Sequence, residues 1–278
     1  MNTFTQIVLQ RKQDVLFASL NRPDTRNAMG PEMVGELARV LEMVDVDSSV
    51  RALVLRGSQG IFCAGGNLGS FQARLSNHDE DDSVAAYNRK FGYFMQAMAG
   101  AAVPVVVVVE GAAIGGGMGL ACVADIVIAR QDARFALTET SLGIIPAQIL
   151  PFVMARIGQA TTRRLGLTSE RINGDEAHRI GLVDHVASDQ AGLNQLLAQC
   201  LSHIGRCAPD ANRELKKLIR NPGHSTEAEM LDVAAQRFSA CMRNEGDEGI
   251  AAFRERRAPA WAVTFAADDL QATFDDIK

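Results

Sequence analysis

The 278-residue chain lacks a basic excess: 28 lysines and arginines stand against 33 acidic residues, a formal net charge of −5. Without surplus positive charge it offers no general attraction to nucleic acid or to an anionic membrane, so any anionic ligand must be held locally. Paired cysteines are also lacking. Cys63, Cys122, Cys200, Cys207 and Cys241 are odd in number with no C-x-x-C spacing, which suits reduced packing thiols in a cytoplasm rather than a disulfide framework. Met1-Asn2-Thr3-Phe4-Thr5-Gln6 shows no basic segment followed by an apolar core, so no leader is read there and a cytoplasmic location is expected. No uninterrupted membrane-length apolar run exists either. The most apolar stretch, Val103 to Ala129, is broken by Pro104, Glu110, a glycine cluster and Asp125.

Nucleotide and metal signatures are missing too. Gly115-Gly116-Gly117-Met118-Gly119 departs from G-x-G-x-x-G, and no G-K-[ST] follows a glycine turn. His78, His178, His185, His203 and His224 show no zinc-ligand spacing, which leaves them as structural or solvated residues. Neither a metal nor a separate cofactor is expected.

What the chain does have is apolar content, 47% of its residues, enough to bury a sizeable core in one large domain or in a core with a smaller appendage. Phe4 to Leu9 alternates, Gln10 to Asp14 is a polar turn, and Val15 to Leu20 reads as the second strand of a hairpin. Behind Pro31, the residues Met33, Val34, Leu37, Val40, Leu41 and Val44 recur at helical spacing, and Val50 to Leu55 follows as a strand. A second round repeats the order, with a helical stripe from Val84 to Met98 and a β-branched strand, Val105 to Val109, covered on both faces. Ile126 to Ala129 and Arg134 to Leu137 add short strands, and this alternation argues for a layered α/β core. From about Asp189 strand signals vanish and helical stripes take over, including a capping box at Thr226 and Glu229. The expected division is a core over 1–188 and a helical region over 189–278, whose apolar faces pack on the core or on another subunit.

Two glycine segments, Cys63-Ala64-Gly65-Gly66-Asn67 and Ile114-Gly115-Gly116-Gly117-Met118, each follow a strand run. Glycine lets a ligand approach the main chain, and two convergent N–H donors stabilise an oxygen that becomes negative only during reaction. Such an oxyanion hole points to chemistry on a carbonyl. Glu139, set among small and apolar residues from Phe135 to Pro146, is the acid/base candidate, because burial raises a carboxyl pKa toward neutrality. An exposed or helix-capping glutamate is the other reading of the same residue. His78-Asp79-Glu80-Asp81-Asp82 reads as a solvated loop, with a lid as its alternative, while Phe71, Leu75, Phe91 and Phe94 read as core or as an acyl-pocket lining.

Three segments together resemble the crotonase superfamily, the enoyl-CoA hydratase/isomerase family: Leu20-Asn21-Arg22-Pro23 with Asn27-Ala28, Phe62-Cys63-Ala64-Gly65-Gly66-Asn67-Leu68, and Gly111 through Ile114-Gly115-Gly116-Gly117 to Leu120-Ala121 and Asp125. The likeness continues through Gly174-Asp175-Glu176-Ala177 and Gly181-Leu182-Val183 to the helical end near Phe253 and Pro259. It implies an α/β spiral of ββα repeats with a C-terminal helical trimerisation region, assembled as a homotrimer or a dimer of trimers. It also implies acyl-CoA thioesters as substrates, with coenzyme A part of the substrate rather than a cofactor. By position, the N–H groups of Gly66 and Gly116 would form the oxyanion hole, and Glu139 would carry the proton. Arg26, Ala28, Ala64, Gly65, Asn67 and Leu68 would lie along the CoA groove, with Arg26 either meeting CoA phosphate or remaining a solvated loop residue.

One position departs from the family pattern. Two-glutamate hydratases hold the attacking water between carboxylates matching Gly119 and Glu139, and here only the second is present. A single glutamate with Ile145-Pro146-Ala147 resembles methylglutaconyl-CoA or isohexenylglutaconyl-CoA hydratases, and the missing side chain at Gly119 is expected to leave room for a branched acyl group. The expectation is hydration of a branched 2-enoyl-CoA. A Δ3,Δ2-enoyl-CoA isomerase is the alternative, and a catalytically silent acyl-CoA-binding or RNA-binding relative is the reading from another class.

Overall fold

The computed structural model describes residues 4–67, 69, 83–220 and 226–270. In chain order it runs β1 (Ile7–Lys12), β2 (Val15–Leu20), α1 (Pro31–Val46), β3 (Ala52–Gly57), α2 (Ser83–Ala99), β4 (Val105–Val109), β5 (Ala112–Ile114) and α3 (Gly116–Cys122). There follow β6 (Ile126–Arg130), β7 (Arg134–Ala136), α4 (Leu150–Thr168), β8 (Ile172–Asn173), α5 (Gly174–Arg179) and β9 (His185–Ala187). The helices α6 (Gln190–Arg206), α7 (Pro209–Arg220), α8 (Glu227–Cys241) and α9 (Asp247–Glu255) come next.

The hairpin forms three residues later than the alternation places its first strand. Glu36 of α1 explains the shift: its buried carboxylate accepts the N–H groups of Thr5, Gln6 and Ile7 at 2.7, 2.8 and 3.1 Å. Burial alone would raise the pKa of Glu36, but these donors outweigh it and hold the carboxyl below its ordinary range. A carboxyl depressed in the folded state stabilises above its unfolded pKa, and that stability is lost as pH falls through the folded value. Glu36→Gln is therefore expected to lower the urea midpoint at neutral pH by the equivalent of about 1–3 kcal/mol, with the deficit shrinking in acid.

The main sheet has the order β1-β2-β3-β4-β6-β9, antiparallel at the hairpin and parallel from β2 onward. Its centre is the valine run. All five residues of β4 are fully buried, because alternate side chains enter two separate cores. Val105, Val107 and Val109 join the cluster that includes Leu37 and Val40 of α1 and Met95 and Met98 of α2. Val106 and Val108 join Leu193, Leu197 and Leu201 of α6 on the opposite face. The sheet is thus sandwiched between helical layers, as a continuous β-branched run requires.

A smaller sheet, β5-β7-β8, corrects the expected position of the second glycine segment. That segment does not follow Val105–Val109 directly. Gly111, at φ 62, turns the chain out of the main sheet, and β5 then pairs with β7 before Gly115 is reached. The sequence gives little warning of β5, since Ala112-Ala113-Ile114 has no alternation to read.

The helical run begins at Gln190, capped by Asp189, whose Oδ1 accepts the Gly192 N–H at 2.8 Å. Because α6 closes the second face of the main sheet, this first helix belongs physically to the core. The helix α7 is tied down by Lys216, which donates to Val103 O at 2.8 Å and pairs with Asp125. The capping box read from Thr226 and Glu229 opens α8. Leu231, Phe238 and Phe253 on α8 and α9 are left exposed, Phe253 at 85%. Among the described residues, no helix is long and apolar enough to cross a membrane.

Candidate active site

The two glycine segments meet through backbone pairing. Cys63 forms a parallel bridge with Ala113 of β5: its N–H donates to Ala112 O at 2.8 Å, and its carbonyl accepts the Ile114 N–H at 3.0 Å. Three residues on, Gly66 bridges Met29, with Met29 N–H donating to Gly65 O at 2.8 Å and Asn67 N–H donating to Met29 O at 3.0 Å. In such a bridge the groups flanking Gly66 face Met29, so the N–H of Gly66 points the other way. Among the described residues it has no hydrogen-bond acceptor.

That N–H faces the start of α3. Gly115, at φ 51, anchors its own N–H on Ala136 O at 2.8 Å and delivers Gly116 as the first residue of the helix. The N–H of a first helical residue has no intrahelical acceptor. A Cβ placed on Gly116 would lie 3.7 Å from Gly66 N, 3.6 Å from Phe91 Cζ and 2.9 Å from Met29 Cε. The backbone at Gly66 and Gly116 therefore borders one small slot beside Met29 and Phe91. Gly66 is exposed and Gly116 half-buried, so a ligand oxygen can reach both.

Glu139 lies against the same turn. It opens a short 3-10 segment, Glu139–Leu142, and its Oε1 lies 2.8 Å from where a Cβ on Gly115 would stand. Only glycine at 115 permits this approach and the positive φ together. The Oε2 of Glu139 is buried and, among the described residues, has no hydrogen-bond partner. Burial raises the pKa, partly opposed by the N–H groups of Glu139 and Thr138, and the net direction is upward. A half-desolvated carboxylate beside two outward-facing N–H donors can move a proton while an adjacent oxygen takes up negative charge.

The rim gathers most of the remaining predicted residues. Ala64 N–H donates to Arg26 O at 3.0 Å, which joins the Arg26-Asn27-Ala28 turn to the first glycine segment. Arg26 and Asn27 both adopt positive φ, held by the buried Asn27 side chain: its Oδ1 accepts the Arg22 N–H at 2.7 Å and its Nδ2 donates to Ile61 O at 2.7 Å. Arg26 is exposed, Ala28, Ala64 and Asn67 are half-buried, and Gly65 is buried at φ 109. Leu68, Phe71, Leu75 and the 78–82 charge run lie outside the described residues. Phe91 and Phe94 divide their roles, Phe91 against the slot and Phe94 in the core.

The expectation about Gly119 is overturned. The missing side chain leaves no room, because Ile149 occupies the position: its Cβ lies 2.6 Å from where a Gly119 Cβ would stand, and its Cγ2 is closer still. Ile149 is 2% exposed. Sequence reading missed Ile149 and Met29 as parts of this site, since neither belongs to a pattern that points toward Glu139.

Other candidates fall away. Cys63, Cys122 and Cys200 are buried, and burial pushes their thiols up to about 12, so none supplies a thiolate nucleophile near neutrality. His178 Nδ1 donates to Val183 O at 2.9 Å, and His185 and His203 are exposed. Among the described residues no group of three or more His, Cys, Asp or Glu side chains is placed to hold a metal ion.

Residues 10–264 match the family model described as enoyl-CoA hydratase/isomerase. The 2,3-dehydroadipyl-CoA hydratase of Escherichia coli is 30% identical over 257 residues, 92% of this chain and 98% of that protein. Among solved structures, Pseudomonas aeruginosa AtuE is 46% identical with a TM-score of 0.89, covering 93% of this chain and 100% of its own. An enoyl-CoA hydratase/isomerase from Marinobacter aquaeolei is 43% identical with a TM-score of 0.88, covering 93% and 99%.

Proposed function

The chain belongs to the enoyl-CoA hydratase/isomerase family, and from that premise we propose that it hydrates the C2=C3 double bond of a branched 2-enoyl-CoA. The observation that carries this reading is the single half-buried carboxylate of Glu139, its Oε2 buried, beside the backbone of Gly66 and Gly116. The thioester oxygen sits in the slot and accepts both N–H groups, which draws electron density from the double bond and makes C3 electrophilic. Water oxygen adds to C3 while Glu139 takes its proton, and the thioester becomes an enolate. Glu139 then returns a proton to C2, so the carboxylate ends as it began. Each N–H donor is worth about 2.7–4 kcal/mol in the transition state, and the proton shuttle about 10²- to 10⁴-fold in rate.

Arg26, Ala28, Ala64, Gly65 and Asn67 form the rim on which coenzyme A is placed, with Leu68 continuing it in sequence. The leaning toward a methylglutaconyl- or isohexenylglutaconyl-type substrate rests on Gly119 and Ile145-Pro146-Ala147, not on empty volume at 119. The relative named for 2,3-dehydroadipyl-CoA supports a hydratase over a binding protein. The exposed apolar residues of α8 and α9 suit a homotrimer or a dimer of trimers, and the unpaired cysteines suit a cytoplasmic setting.

One carboxylate also suits the isomerase reading, since a Δ3,Δ2-isomerase needs only one group to carry a proton from C4 to C2. Straight, branched and carboxylated 2-enoyl-CoAs, together with 3-enoyl-CoAs, separate the two when products are identified by mass spectrometry. Hydration adds one water to a 2-enoyl substrate. A 3-enoyl substrate converted at unchanged mass, with no hydration of any 2-enoyl substrate, would establish the isomerase instead.

A further inference from the structure

We propose that Ile149 is the specificity-determining wall of the acyl pocket, its branched side chain taking the place that a side chain at position 119 would occupy. This rests on the reading that the Gly66, Gly116 and Glu139 site holds the acyl thioester. Gly119 lies three residues beyond Gly116 on α3, about 4.5 Å further along the axis and on nearly the same face. The face that meets Met29, Phe91 and Gly66 N at Gly116 therefore meets Ile149 one turn deeper. Glu139 approaches the same turn from Gly115, whose carbonyl accepts the Gly119 N–H at 3.0 Å.

Ile149 is firmly placed. It stands at the N-terminus of α4, where its carbonyl accepts the N–H groups of Phe152 and Val153 at 3.0 Å each. Its side chain belongs to the same core cluster as Met118, Leu120 and Val153. A buried β-branched residue on a helix start has few rotamers to escape into, so its shape is imposed on what lies beside it. Two consequences follow. A carboxylate cannot be restored at 119 unless 149 is shortened, and the proton chemistry is confined to Glu139 by packing as well as by composition. Shortening Ile149 would open space against Gly119, on the side of α3 that carries Gly116.

Purified Ile149→Ala and Ile149→Val, checked for folding by circular dichroism, test this with pairs of 2-enoyl-CoAs differing in the size of the C3 substituent. The ratio of kcat/KM for the larger over the smaller substituent is expected to rise about tenfold or more in Ile149→Ala, and less in Ile149→Val, since one methylene in an apolar pocket discriminates about 10- to 200-fold. Gly119→Ala alone is expected to lower the melting temperature, and Gly119→Ala combined with Ile149→Ala to recover part of that loss. This second arm reads the packing whether or not a substrate is turned over. An unchanged ratio in folded variants of an active enzyme, or a Gly119→Ala protein as stable as the parent, would overturn the assignment of Ile149. Absence of turnover on every enoyl-CoA by the parent would instead overturn the reading of the site, and with it the role of Ile149 toward substrate.

Discussion

Glu139→Gln is expected to lower kcat for hydration by at least about 10²-fold, and by as much as 10⁴-fold, while KM changes little. The amide keeps the size and the neighbours of the carboxyl but cannot accept the water proton, and no second acid lies at position 119 to take over. The pH profile sharpens the prediction. Burial raises the Glu139 pKa, so the acid limb of kcat/KM is expected above the ordinary glutamate value of about 4.3, and that limb should be absent from the residual activity of the variant.

The same shift has the opposite sign in stability. A carboxyl whose folded pKa is raised favours the folded state fully below its unfolded pKa, and that contribution is lost as pH rises through the folded value. Ionised Glu139 therefore costs stability at neutral pH, as a functional group held against its solvation preference does. Glu139→Gln should melt higher than the parent at pH 7, with the advantage fading below about pH 4. Thermal melts at the two pH values check this. It is the reverse of Glu36→Gln, where donors hold the carboxyl down and the substitution destabilises at neutral pH.

The second large effect is expected at Gly116. A methyl there would stand 2.9 Å from Met29 Cε and 3.7 Å from Gly66 N, inside the slot proposed for the thioester oxygen. Gly116→Ala should lower kcat by about 10²- to 10³-fold, the loss seen when one oxyanion donor is removed. Met29 Cε is the end of a flexible side chain and can move aside, so folding should be kept. A Gly116→Ala protein with parental kcat would show that the oxygen binds elsewhere.

Much of this architecture was legible in the residues. Val105 to Val109 announces a strand buried on both faces, and Pro31 with the stripe from Met33 to Val44 announces α1 almost to the residue. The two glycine segments and Glu139 stood out by residue type together with the family resemblance, and the structure brings them to one turn. What was not legible depends on contacts distant in sequence. The start of β1 is set by Glu36, some thirty residues away, and the meeting of the glycine segments is set by the Cys63–Ala113 bridge. The volume at Gly119 was misread for the same reason: a missing side chain says nothing of which neighbour fills the space, and Ile149 comes from the start of α4, thirty residues on.

A spectrophotometric assay of the purified protein decides the matter. A branched 2-enoyl-CoA is mixed with the parent and with Glu139→Gln, and the absorbance of the conjugated enoyl thioester is followed while product mass is recorded. Hydration by Glu139 requires the absorbance to fall with the parent, the product to carry one added water, and the Glu139→Gln trace to be nearly flat. Equal rates in the two proteins, or a parent that leaves the 2-enoyl thioester unchanged while generating conjugation from a 3-enoyl-CoA, would contradict it.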